Sequence, residues 1–192
     1  MNRTAGRLTL MLAALALLAG CEATRFERAP LAASEPCDRA LVGSWQDEPD
    51  AVGEVTRLQV SADCRLVVTM IHEGKSNSTD PVRLSTARLG DRDFAWVSAR
   101  WAHEHFVDGG PLVGPDEVYV VHYRLQGGGL QVFGPANITV ADLVKRGELR
   151  GKVAEDETDT FVRIDAAGGR QALEHPRFFR DTPRSFRKGA PN

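Results

Sequence analysis

The sequence predicts a mainly β protein with minor α content: an antiparallel meander forming a barrel or a curved sheet, with one or two short helices in its C-terminal third. Three features predict this. Short segments alternate apolar and polar residues with a period of two, as a strand with one buried face does. Turn residues separate these segments at hairpin distances, so that chain neighbours can pair antiparallel. Helical spacing appears only in short stretches after residue 138.

The first segment is of another kind. Arg3 and Arg7 precede Leu8 to Leu18 (LTLMLAALALL), an apolar run too short to span a bilayer as a permanent helix. Charge followed by such a run is the pattern of an export signal. The run ends in Leu18-Ala19-Gly20-Cys21, which resembles the lipobox of bacterial lipoproteins. The resemblance implies that Cys21 is alkylated with diacylglycerol, that residues 1–20 are a signal peptide cut off before it, and that the new amine takes a further acyl chain such as palmitate. Each buried methylene contributes about 0.8 kcal/mol, so two or three chains hold a protein to its membrane. Glu22 stands where inner-membrane lipoproteins often carry Asp, which points the expected address to the outer membrane, facing the periplasm. Residues 21–35 are expected to be the lipidated N-terminus and a flexible tether: they have charge, small residues and proline but no apolar period.

A single β-rich domain is expected over 36–176. Leu41-Val42-Gly43-Ser44-Trp45 opens its first strand. Leu58 and Val60 lead into the turn Ser61-Ala62-Asp63-Cys64, after which Leu66, Val68 and Met70 return on one face. Val82, Leu84 and Thr86 alternate with Arg83 and Ser85. Gly90-Asp91-Arg92-Asp93 then turns the chain into a strand from Phe94 to Trp101. Tyr119, Val121, Tyr123 and Leu125 share a face, and Gly127-Gly128-Gly129 joins their strand to Leu130–Phe133. Thr139, with Asp142 three residues on, starts a short helix that Gly147 stops. Leu149 to Val153 and Thr160 to Ile164 resume extended structure. Arg170 to His175 reads as a helical turn ended by Pro176, and 177–192 as a basic, partly disordered tail in which Phe178 and Phe179 dock.

Cleavage before Cys21 leaves 22 basic against 26 acidic residues, a net charge of −4, which does not suggest nucleic-acid binding. With Cys21 consumed by lipid, Cys37 and Cys64 remain as a pair in an oxidising compartment and are expected to form a disulfide.

Gly43-Ser44-Trp45 at the head of a meander of hairpins resembles the start of a lipocalin-like β-barrel. In that family the Trp closes one end of the barrel and the cavity takes a small apolar ligand. Gly43 and Trp45 are the positions that carry over, and the strands after the Thr139 helix depart from the pattern. Glu117 to Ile164 is also similar to proteobacterial lipoproteins to which no activity is attached.

Candidate chemistry is sparse. His103 and His105 would share a face if strand geometry ran through them, and His72 with Glu73 could add ligands, but spacing fixes no third ligand. A metal site through His103/His105 is therefore a distant third reading, and no metal or other cofactor is expected. His122 faces away from the Tyr119/Tyr123 stripe, as a solvated or satisfied strand histidine. There is no Gly-x-Ser-x-Gly elbow and no Ser-x-x-Lys pair, and the Gly127–Gly129 run lacks the Lys-Ser/Thr of a phosphate loop, so no catalytic residue is assigned and an enzyme is not expected. The first expectation is an envelope lipoprotein that binds a small apolar ligand or lipid among Trp45, Val68, Met70, Trp96, Tyr119, Val121 and Tyr123. The alternative is an interaction or scaffolding lipoprotein that holds an envelope protein partner through its basic Arg177–Lys188 tail.

Overall fold

The computed structural model describes residues 22–34, 37–49, 53–106, 111–155 and 160–189. Cys21 and the export segment lie outside them. The strands are β1 (Glu22–Phe26), β2 (Gly43–Asp47), β3 (Val55–Val60), β4 (Arg65–His72), β5 (Lys75–Ser78), β6 (Val82–Arg83) and β7 (Ser85–Leu89). They continue with β8 (Arg92–Ser98), β9 (Val118–Gln126), β10 (Gly129–Phe133), β11 (Gly151–Glu155), β12 (Thr160–Ile164) and β13 (Arg184–Lys188). Among the described residues three short α-helices accompany them: α1 (Ala99–Phe106), α2 (Asn137–Lys145) and α3 (Gly169–Glu174). All thirteen strands hydrogen-bond into one mixed, mostly antiparallel sheet whose parallel pair is β1 with β12.

The sheet forks at β9. One edge of β9 pairs with β8. The other is shared: Phe26 of β1 meets Val118 at its start, and β10 takes Gln126 to His122 at its end. The β1 branch continues to β12 and β11, and the β10 branch to β13, β2, β3 and β4. Gly127 and Gly128, at φ +60° and +77°, make the β9–β10 turn, a region that a β-carbon disfavours.

The second branch curls back towards β7 without closing into a barrel. The outer edge of β4 is divided between β5, which takes Thr69 to His72, and β6, which takes only Arg65 and Leu66. One residue beyond β6 the Leu84 N–H donates to the Cys64 carbonyl, and then β7 leaves to pair with β8. The regular β4–β7 ladder that closure needs is therefore absent, and of the expected alternatives the curved sheet is the one that forms.

Alternation along β9 sorts the core into two sides. Val118 and Val120 face a cluster that contains Phe26, Phe94, Phe178 and Phe179 together with Val140, Ala141 and Leu143 of α2 and Ala172 and Leu173 of α3. Tyr123 faces the inside of the curl with Trp45, Val60, Leu130 and Phe186. Near the start of β9, Tyr119 packs in a third cluster with Ala23 and Phe161 and with Ala99 and Ala102 of α1.

Four expectations are corrected. The tether expected over 21–35 is structured through Glu22–Phe26, because β12 offers a free edge and Ala23 to Phe26 are all buried against it; Glu35 and Pro36 lie outside the described residues. The 177–192 tail contains β13, an interior strand between β10 and β2 that buries Phe186. The strand expected to Trp101 ends at Ser98 and continues as α1, because burying Ala99 and Ala102, three residues apart, needs helical spacing. The helix expected from Thr139 begins two residues earlier at Asn137, and its cap residue Ala136 makes no side-chain bond. Gly147 does stop it, at φ +74°, with its N–H on the Val144 carbonyl.

Candidate functional site

The inside of the curl holds a cavity of about 140 Å³ that is partly open to solvent. Its wall is built by alternation, two or three residues from each strand: Thr56, Leu58 and Val60 of β3, Leu66 and Val68 of β4, Ala95 and Val97 of β8, Tyr119, Val121 and Tyr123 of β9, Leu130 and Val132 of β10, and Arg184 and Phe186 of β13. Leu41, Leu84 and Trp101 complete it. The lining is almost wholly apolar.

One end of the cavity is closed by covalent and polar ties. Cys37 and Cys64 form the expected disulfide, which fastens the segment before β2 to the β3–β4 turn. Asp38 then accepts the Tyr123 hydroxyl at 2.9 Å and the Ala40 N–H at 2.9 Å, and its own N–H donates to Thr86 Oγ1. Burial, together with the Asp38 carboxylate, pushes the Tyr123 hydroxyl far above the ordinary tyrosine range, so it stays protonated as the donor. The short 3₁₀ turn Arg39–Leu41 lays Leu41 across the cavity, and its carbonyl accepts the Trp45 indole N–H at 2.7 Å.

Polarity inside is concentrated at Asp47, Thr56 and Arg184. The Arg184 guanidinium pairs with Asp47 Oδ2 and donates to Thr56 Oγ1 at 2.7 Å, while Asp47 Oδ1 accepts the Thr56 N–H at 2.6 Å. Mutual satisfaction lets this charged pair sit beside an apolar space.

A second ion network lies outside the curl. Buried Arg25 on β1 meets buried Glu117 at 2.8 Å and donates to the carbonyls of Pro111 and Leu112, and Arg163 joins Glu117 to Glu27. It pins the connection from α1 to β9 onto β1.

Of the seven residues expected to line a ligand pocket, Val68, Tyr119, Val121 and Tyr123 border the cavity. Trp96 also borders it, yet belongs to the packed cluster on the other face of β8. Trp45 is buried in the cluster around the cavity without lining it, and Met70 lies one step along β4, in a neighbouring groove. Leu58, Val60 and Leu66 follow the same alternation and were legible by it. Trp101, Arg184 and Phe186 were not, because one was placed on a strand and two in a tail.

Among the described residues no group of three or more His, Cys, Asp or Glu is placed to hold an ion. On α1 the two-residue spacing of His103 and His105 turns them to different sides, against the strand geometry that would have brought them together. His122 is buried rather than solvated, stacked on Phe133 at 5.1 Å between Phe94 and Phe179, with Nδ1 2.9 Å from the Asp93 carbonyl and no partner for Nε2. Burial holds its pKa below the usual histidine range.

No protein-family model matches the chain, and no curated protein or solved structure is significantly similar to it.

Proposed function

We propose that this protein is an envelope lipoprotein, exported and acylated at Cys21, whose curled sheet binds a small apolar ligand. The observation that carries the reading is the cavity: an apolar space of about 140 Å³, walled from six strands and tied shut at one end. Its volume is close to that of an engineered apolar cavity of about 150 Å³ that takes benzene. Export is supported by the order of charge, apolar run and Leu-Ala-Gly-Cys in the sequence, and by the disulfide, which persists in an oxidising compartment.

The test has two arms. Cells fed an alkyne palmitate analogue should label the protein, and Cys21→Ser should abolish the label; unaltered labelling would refute acylation at Cys21. For the cavity, toluene titrated into the chain from residue 21 on, carrying Cys21→Ser and so retaining every described residue, should shift the NMR signals of Val68, Val121 and Leu130. Val68→Phe or Val132→Phe should fill the space and abolish binding, whereas Val67→Phe, directed to the other face of β4, should not. If toluene shifts no lining signal, or both filled variants, shown to be folded, bind as the parent does, the cavity is not a binding site.

A further inference from the structure

Where the cavity ends away from the disulfide, it ends on a latch. Trp101 of α1 borders the apolar space, and its indole N–H donates to the Asp80 carbonyl at 2.9 Å. The Asp80 N–H donates in turn to His105 Nε2 at 3.1 Å, and the Trp101 and His105 rings meet at 5.3 Å. One turn of α1 is thus fastened to the connection between β5 and β6. On the outer side lies a groove lined by Asn77, Ser78, Thr79, Asp80, Glu104 and His105, with Met70 as its apolar floor. The inner face of β4 runs from one space into the other: Leu66 and Val68 border the cavity, and Met70, opposite Thr56 of the cavity wall, borders the groove.

We propose that this groove is the head-group subsite of the same pocket, that the ligand is a single-chain amphiphile with an uncharged, hydroxyl-bearing head, and that Trp101 is the gate between its two halves. This rests on the cavity reading above. The chemistry of the lining selects the head. Asn77, paired with Met70 and on its face, offers a donor and an acceptor, the Thr79 hydroxyl accepts the Val68 N–H and keeps its proton to donate, and the Asp80 and Glu104 carboxylates accept hydroxyl protons but repel a carboxylate or phosphate. The groove lining holds no Lys or Arg. The cation on the cavity wall, Arg184, is taken by Asp47 and Thr56, and His72 and Lys75 pair with each other's strands at the far tip of the β4–β5 hairpin. His105 spends Nε2 as the acceptor of the Asp80 N–H.

Calorimetry on the same Cys21→Ser chain in detergent-free buffer tests this with 1-octanol, mono-octanoylglycerol and octanoate. Both neutral amphiphiles should bind about tenfold more tightly than octanoate. Glu104→Lys should raise octanoate affinity about fivefold and leave toluene binding unchanged. Trp101→Phe removes one hydrogen bond from the latch, and stopped-flow should then show association and dissociation of octanol both faster by about fivefold. Octanoate binding as tightly as octanol, or an unaltered octanoate affinity in Glu104→Lys, overturns the head-group assignment while toluene binding still upholds the cavity; loss of toluene binding as well overturns both. Unchanged exchange rates in Trp101→Phe overturn the gate.

Discussion

The tie between Cys37 and Cys64 sets a measurable stability. The two residues are 27 apart in sequence, and closing a loop of that length in the unfolded chain removes entropy equivalent to about 3.5 kcal/mol at 25 °C. The native segment has further supports, the Asp38 bonds to Tyr123 and Ala40 and the Thr86 bond to the Asp38 amide, so its fold need not change when the disulfide is lost. The double variant Cys37→Ala/Cys64→Ala should therefore unfold in urea at a midpoint lower by about 1–2 M, or melt about 7–14 °C lower. A second variant separates covalent from conformational effects. Cys64 sits at φ +63°, the left-handed position of the β3–β4 turn that glycine ordinarily fills. Cys37→Ala/Cys64→Gly should thus be about 1 kcal/mol more stable than the Ala/Ala variant. The measurement is urea unfolding followed by tryptophan fluorescence. A double variant within 1 kcal/mol of the parent would show that the loop is not what the disulfide constrains, and equal stability of the Ala and Gly forms would refute strain at Cys64.

Two further perturbations test the buried charges. Glu117→Ala leaves the Arg25 guanidinium buried without its carboxylate and should cost about 3–5 kcal/mol, whereas Arg25→Met/Glu117→Leu together should cost far less; urea melts distinguish them, and equal losses would contradict a desolvation origin. His122 has its folded-state pKa lowered by burial, so as pH falls below 6.5 the unfolded chain takes up a proton that the folded one refuses. Stability should fall as pH drops below 6.5, by up to about 1.4 kcal/mol per pH unit, and this slope should flatten in His122→Leu; an unchanged slope would place the titrating group elsewhere.

How much of this was legible depended on which contacts are local. Each hairpin lies within about 20 residues and declares itself through its turn and its alternation: Leu58 to Met70 around Ser61–Cys64, and Tyr119 to Phe133 around Gly127-Gly128. The elements that escaped are fixed by distant partners. Glu22–Phe26 carries a single large apolar side chain and two charges, and becomes a strand because Thr160–Ile164 and the Glu117 carboxylate await it. Arg184–Lys188 carries three basic residues and one apolar one, and becomes a strand because β10 and β2 leave a gap that Phe186 fills. Half of the cavity wall was visible for the same reason that the hairpins were. The rest depends on where the curl brings β13 and α1, which no local pattern encodes.

The structured start of the chain changes what an anchor on Cys21 would mean. A tether would leave the domain free to sample the space around its membrane, and the orientation of its pocket would carry no information. With β1 opening at Glu22, the residue after the proposed acylation site, there is no such spacer. Ala23, the next residue of β1, is buried in one cluster with Ala99 and Ala102 of α1, and Trp101 packs on that cluster while bordering the cavity. The exposed Leu112 stands at the same end, on a loop whose backbone Arg25 holds. If Cys21 is acylated, the part of the domain held nearest the bilayer would be the one where Ala23 packs on α1. An amphiphile leaving that bilayer would meet the groove and Trp101 first. On the proposed function ligand supply would then depend on the anchor, and a chain that folds normally but lacks Cys21 should keep its affinity for octanol in calorimetry and lose its uptake of amphiphile from vesicles; equal uptake would refute that dependence.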